Sequence, residues 1–302
     1  MALAHVKTLS ILAPAKINLF LHVTGRRDDG LHLLDSLVAF TDIGDEVKIE
    51  PAAEFSFKVK GPFASSFAAN EHSSHPHSDN IVVKAAHALA HLAGHKLNVA
   101  ITLQKNLPLA SGIGGGSSDA AACIWGLMKL WSVPPQAPYL NDLLLTLGAD
   151  VPVCFQCQST RMRGIGEDIA LLSQMPECPI VLVNPGVGCS TADIFKSFEL
   201  SPAPVADMPE RFDDIHMLCE FLKLADNHLY DAAREKLPIL SEVIKAQQAT
   251  EGVLISRMSG SGATCFALYE TAQAAQRAAD DIAIAHPAWW VKRGWLNRPE
   301  RY

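Results

Sequence analysis

The sequence predicts an α+β fold in two domains, and three observations lead there. Its 302 residues, 49% of them hydrophobic, can bury a sizeable core, yet the length suits two modest domains better than one large one. Strand-like and helix-like segments are mixed without the regular alternation of a doubly wound sheet, and no solenoid-type repeat is visible. The local character of the chain also changes near residue 163, dividing it into 1–163 and 164–302.

The elements follow in order. Residues 16–23, KINLFLHV, are rich in apolar and β-forming types, and the turn-prone GRRDDG separates them from LHLLDSLVAF at 31–40. A β-hairpin is the economical reading. Short strands are expected at 47–49 and 55–59, then a loop over 61–79, where Ser, Ala, Asn and His dominate. A helix over 80–92 and a strand over 99–103 precede a glycine-rich loop at 107–116. That loop opens a helix from about Ser117, in which Ala120, Ile124, Leu127, Met128 and Trp131 recur at helical spacing. Three prolines within 132–138 end it, and a helix over 140–147 closes at Gly148, leaving Asp150 just past a helix C-terminus. Beyond Gly164 come strands such as 180–183, a proline-bearing connection at 201–209, further helices and a final glycine-rich strand-turn region.

A formal charge of -7 argues against nucleic acid or an anionic membrane as partner, since either is usually met by a basic surface. An anionic small molecule held by a few local donors remains compatible with it. Seven scattered cysteines do not form the dense, even framework of a small secreted domain and read as buried thiols in a reducing cytoplasm. Lys7, Pro14 and Lys16 interrupt the apolar N-terminal stretch, and no segment reaches the roughly 18 uncharged apolar residues of a membrane span. A cytoplasmic protein is expected.

The chemistry concentrates in PLASGIGGGSSDAAA at 108–122, where four glycines and two adjacent serines lead into an alanine-rich helix. Glycine lets backbone approach an anion closely, and the unpaired N–H groups of a helix N-terminus favour phosphate oxygens. Ser117 and Ser118 can add hydroxyl ligands to phosphate or Mg2+. The G-x-x-x-x-G-K-[ST] pattern of a Walker loop is absent, and the spacing does not match a dinucleotide-binding fingerprint. Read alone, the run could also be a flexible Gly/Ser loop.

This run resembles the second motif of the GHMP kinases, and two further motifs lie in the family's order: APAKINLFLHVTGRRDDGLH at 13–32 and SGSGATCFAL at 259–268. DNIVVKAA at 79–86, GADVPV at 148–153 and NPGVGCSTADIF at 184–195 are similar to the branch that phosphorylates 4-diphosphocytidyl-2-C-methyl-D-erythritol. The six matches together span nearly the whole chain. The resemblance implies a two-domain GHMP kinase fold with the active site in the inter-domain cleft, ATP and Mg2+ as cofactors, and a small-molecule substrate carrying a cytidine diphosphate group. The expected reaction is phosphorylation of that substrate's 2-hydroxyl, in the methylerythritol phosphate route to isoprenoid precursors.

By the same resemblance Asp150 is the catalytic base and Lys16 its cationic partner, roles their chemistry suits. Nucleotide contacts fall to Asn80, Lys105 and the loop residues Pro108, Leu109, Ala110, Ser111, Gly112, Ile113, Gly114, Gly115, Gly116, Ser117 and Ser118. Substrate contacts fall to Asn18, Leu31, His32, Thr191 and Phe195. At Leu31 the chain departs from the branch, which commonly has tyrosine there, so part of the expected base-stacking platform is changed. His72, His75 and His77, and the Cys154–Cys157 pair, are read as structural, with no protein metal site expected. The rivals are another GHMP kinase, of mevalonate or homoserine type, and a catalytically silent ATP-binding protein of the same fold; retention of Lys16 and Asp150 and of the DDG-x-H segment argues against both.

Overall fold

The computed structural model describes residues 8–188, 190–199 and 207–298; part of the expected 201–209 connection lies outside them. Its spine is an antiparallel hairpin of β1 (Leu9–Arg26) and β2 (His32–Pro51). The turn is fastened where Asp29 Oδ1 accepts the Leu31 N–H at 3.1 Å and Gly30 takes φ +88, a local carboxylate-to-backbone turn. The strand expected at 47–49 is the end of β2 rather than a separate element.

Strict alternation along β1 is broken by register shifts between Pro14 and Lys16, between Asn18 and Phe20, and between Val23 and Gly25. The second and third shifts each insert an unpaired residue into β1 and re-aim the side chains that follow, whereas at the first the surplus lies on β2. Ile17, Leu19 and Phe20 therefore all enter the core, while Lys16, Asn18 and Leu21 face one cleft.

Four strands extend this hairpin: β3 (Ser56–Lys60), β4 (Val99–Gln104), β5 (Thr160–Gly164) and β6 (Asp168–Leu171). β4 and β5 pair with separate stretches of β2, β3 runs parallel to β4, and β6 completes a hairpin with β5. The second half contributes β7 (Cys178–Asn184), β8 (Val253–Met258), β9 (Cys265–Tyr269) and β10 (Trp290–Leu296). β10 pairs with β7 along its length and touches β2 at Leu296–Thr41, joining the halves in one ten-stranded sheet. The boundary expected at 163/164 falls within β5; the switch to the second set of strands comes at β7.

Helices α1 (Ile81–Ala93), α2 (Gly115–Trp131), α3 (Leu140–Leu147) and α4 (Val151–Gln156) cover the first set of strands. Asn80 caps α1 by accepting the Val82 N–H, and Gly94 ends it in the left-handed conformation. The 61–79 segment contains two short 3-10 turns, Ala64–Ser66 and Ala69–His72, tied back where Asn70 Nδ2 donates to Asp79 Oδ2 at 2.7 Å. The second half carries α5 (Thr191–Ser197), α6 (Ile215–Leu224), α7 (Tyr230–Lys236), α8 (Ile239–Gln248) and α9 (Ala272–Ala285). None of the helices among the described residues is long and apolar enough to cross a membrane.

Three apolar cores result. One lies under α1–α4, one under α7–α9, and a third, built from Ile17, Phe20, Leu37, Ile180, Phe212 and Phe266 among others, draws on both halves. α2 lies close against the hairpin at Gly126, where an added Cβ would stand 2.6 Å from Ile49 Cδ1 and 3.2 Å from Ile11 Cγ1. Both isoleucines are fully packed, so they have nowhere to go. Gly126→Val is expected to lower unfolding free energy by about 1–3 kcal/mol, read from the urea midpoint.

A second prediction comes from His22, which is buried and stacked on His228 with ring centroids 4.3 Å apart. Its Nε2 accepts the Asp226 N–H, and burial followed by the neighbouring His228 lowers its pKa from 6.5 to about 4. The unfolded chain binds the proton first, so this site's stability is present above pH 6.5 and is lost as pH falls toward 4. The slope of unfolding free energy contributed by this site should approach about 1.4 kcal/mol per pH unit in that window. His22→Gln should flatten it, as measured by urea denaturation at stepped pH.

Candidate active site

The glycine-rich loop is held from three sides. Asp45 Oδ1 accepts the Asn106 and Leu107 N–H groups at 2.5 and 2.8 Å, fixing the loop's entry. From β1, the Lys16 N–H donates to Ile113 O at 2.9 Å, and an added Cβ on Gly114 (φ +63) would come within 3.0 Å of the Lys16 Cβ. Ser118 Oγ donates to Pro14 O at 2.7 Å, pinning the first turn of α2. The third side is the 259–264 turn of the second half, where Ser259 Oγ donates to Gly112 O and Thr264 N to Ser111 O, both at 3.1 Å. Asn227 Nδ2 holds that turn through Met258 O and Gly260 O.

These contacts enclose a cleft of about 550 Å³ between the halves. It is lined by Lys16, Asn18, Asn80, Lys105, Asp150, Thr191 and Phe195, together with loop residues 108–112 and 114–117. Ile113 is instead buried in the shared core and the Ser118 hydroxyl is engaged with Pro14. A larger cavity of about 980 Å³ in the second half, near His228 and Arg257, contains none of the motif residues.

Inside the cleft Lys16 Nζ lies 2.8 Å from Asp150 Oδ1, with side-chain exposures of 5% and 37%. The lysine is therefore held in place while the carboxylate is open to a substrate. Asp150 is at once past α3 and at the N-cap position of α4, a helix not expected from the sequence, and its side chain caps neither. Asn80 spends its Oδ1 on the α1 cap, but its buried Nδ2 has no hydrogen-bond partner and the residue lines the cleft. An unpaired buried donor at such a wall is suited to a ligand acceptor.

Lys105 is engaged more fully than expected of a nucleotide contact: its Nζ lies 2.6 Å from both Asp45 Oδ2 and Asp119 Oδ2, and all three groups are buried. Burial acts to lower the Lys105 pKa, but Asp119 and Asp45 outweigh it and raise it, keeping the ammonium charged. With one ammonium for two carboxylates, burial pushes Asp119 well above the usual carboxylate range despite Lys105. Asp45 and Asp119 were not anticipated; the only sequence signal was a lone acid after GGGSS and another before a strand.

The His32 ring lies 4.8 Å from that of Phe195, tilted by 30°; Phe195 lines the cleft and His32 does not, standing behind it. Burial, then the nearby Arg26, lowers the His32 pKa. Leu31, beside it, is 49% exposed and does not line the cleft. Thr191 and Ser261 share a 2.8 Å hydrogen bond, and Asn18 Nδ2 donates to Ser36 Oγ at 2.8 Å.

Comparison with known proteins agrees with this architecture. Residues 80–158 match the model of the GHMP kinases N terminal domain and residues 212–288 that of the GHMP kinases C terminal domain. The chain is 47% identical over 287 residues to a 4-diphosphocytidyl-2-C-methyl-D-erythritol kinase of Paramagnetospirillum magneticum, covering 94% of this chain and 97% of that one. It is 44% identical to the enzyme of that name from Roseobacter denitrificans, covering 95% and 93%. A crystal structure of 4-(cytidine 5'-diphospho)-2C-methyl-D-erythritol kinase superposes with TM-score 0.75 at 31% identity, covering 96% of this chain and 100% of that one. A homoserine kinase from Cytophaga hutchinsonii shares the fold, with TM-score 0.70 at 17% identity over 99% and 98%.

The clasp between the loop and the 259–264 turn generates a prediction. Gly112 has φ +73, and an added Cβ would lie 2.5 Å from Ser259 O and 2.7 Å from Gly262 O. Gly112→Ala is expected to pry the two turns apart, weakening binding of a non-hydrolysable ATP analogue by at least about tenfold, since 1.4 kcal/mol of misfit already costs that factor. Calorimetry on the folded variant checks this.

Proposed function

The chain belongs to the GHMP kinases, and within them to the 4-diphosphocytidyl-2-C-methyl-D-erythritol kinases; from that membership we propose that it transfers the ATP γ-phosphoryl group to the tertiary 2-hydroxyl of this substrate. The products are the 2-phosphate and ADP, in the service of isoprenoid precursor synthesis. The observation that carries the reading is the Lys16–Asp150 pair, 2.8 Å apart, on the wall of a cleft that also contains the glycine loop.

Asp150 accepts the hydroxyl proton as the oxygen attacks, and Lys16, fixed by burial, stabilises negative charge on the transferring group. The loop N–H groups and the N-terminus of α2 hold the phosphates. Asn80 Nδ2 offers a donor to the nucleoside. Phe195, backed by the His32 ring, offers an aromatic face for the cytosine, and Thr191 and Asn18 line the same cleft. Lys105 acts by holding Asp45 and Asp119, and through them the loop, rather than by reaching phosphate.

Mg2+ fits the cleft, because Ser117 and Asp119 bring hard oxygen donors to its wall beside the loop. When bound there it neutralises charge on the phosphates. We place the reaction in a reducing cytoplasm, where the buried thiols of Cys123, Cys178, Cys219 and Cys265 persist.

A coupled ADP-release assay on the cytidyl substrate, with mevalonate and homoserine as comparators, tests the assignment. Activity is expected on the first only; preference for either comparator, or activity on none, would overturn it. Asp150→Asn keeps the shape and removes the base, so turnover is expected to fall by about 10²- to 10⁴-fold with nucleotide affinity little changed.

A further inference from the structure

We infer that Asp119 is a direct ligand of the divalent cation that enters with the nucleotide, and that it makes the cleft select cation-loaded nucleotide over bare nucleotide. The inference rests on the reading of this cleft as the ATP site.

Asp119 stands near the start of α2, 2% exposed, and lines the cleft beside the glycine loop. Its two oxygens differ. Oδ2 accepts from Lys105 Nζ at 2.6 Å, whereas Oδ1 is buried with no hydrogen-bond partner. Native structures seldom leave a buried carboxylate oxygen without a donor or a cation. The other carboxylate of the cluster has no such vacancy: Asp45 Oδ1 takes two backbone N–H groups and Oδ2 takes Lys105.

Charge points the same way. When both are ionised, two buried carboxylates face a single ammonium, a formal net charge of one negative against the loop. Lys16, the other cation lining the cleft, is paired with Asp150, so that the two add no formal net charge. A polyphosphate arriving alone therefore meets like charge where solvent screens it poorly. A divalent cation placed between the phosphates and Asp119 Oδ1 turns that repulsion into attraction. Among the described residues no group of three or more His, Cys, Asp or Glu forms a metal cage; Mg2+ at nucleotide sites needs only one or two carboxylates, with phosphate oxygens and water completing its shell.

The test measures binding, not turnover. Affinity for the β,γ-imido analogue of ATP is measured by calorimetry with EDTA and with Mg2+, and Mn2+ binding in the ternary complex is followed by electron paramagnetic resonance. The parent should bind the loaded analogue the more tightly. Asp119→Asn should weaken Mn2+ and the loaded analogue by roughly tenfold to a hundredfold, with affinity for bare analogue unchanged or improved. A folded Asp119→Asn that keeps the parent's preference for loaded analogue would overturn the inference while leaving the ATP-site reading intact. Failure of the parent to bind either form would overturn both. If melting shows Asp119→Asn unfolded, Asp119→Cys decides, because a thiolate that touches the metal favours Cd2+ over Mg2+. An unaltered Cd2+/Mg2+ preference in Asp119→Cys would also overturn it.

Discussion

The long β1–β2 hairpin is the constraint on which the remaining structure depends. β1 alone supplies Ile11 to the first core, Ile17 and Leu19 to the shared core and Leu21 and Val23 to the second. β2 gives separate stretches of one edge to β4, β5 and β10. The bulges in β1 matter as much as its length. With an unbroken alternation, Lys16, Asn18 and Phe20 would share one face; the shift after Asn18 sends Phe20 into the core and brings Leu21 to the cleft. Lys16 thereby meets Asp150, at the N-cap position of α4, while its own backbone holds the glycine-rich loop.

Two groups of charges near this strand do different work, and exposure separates them. In the Asp45–Lys105–Asp119 cluster every member is almost fully buried. Such a cluster ties β2, the residue after β4 and α2 together through short contacts, at a desolvation cost that makes removal of any one partner severe. In the Lys16–Asp150 pair only the lysine is buried. A half-exposed carboxylate loses little by exchanging water for a substrate hydroxyl, which is what a proton acceptor requires.

How far these features were legible follows from how local their causes are. The hairpin, α1, β4, α2 and α3 are written in short-range patterns: a turn of Gly and Asp between apolar strands, an Asn cap, helical spacing on α2 and a Gly stop after α3. α4 escaped because VPVCFQ is too short for a period and contains proline. β5 and β6 escaped because neither TRMRG nor DIAL alternates clearly, their pairing being set by the distant edge of β2. At the site, Lys16, Asp150, Asn80 and the loop were legible through motifs. The roles of Asp45 and Asp119 were not, since each reads alone as an ordinary turn or first-turn acid, favourable to a helix dipole or a strand end. Only the fold shows that they face the same lysine.

The placement of β10 bears on how the molecule is made. This strand closes the described chain, yet it sits between β2 and β7, and Asn297 next to it donates to Phe40 O at 2.6 Å. On a ribosome, the first strands emerge long before the segment that joins them to the second half, and domains generally begin to fold from the N-terminal side. Until β10 is released, the edge of β2 at Thr41 lacks this partner. The seam between the halves is thus completed only after β10 has emerged, and until then the glycine-rich loop stands in an unfinished cleft.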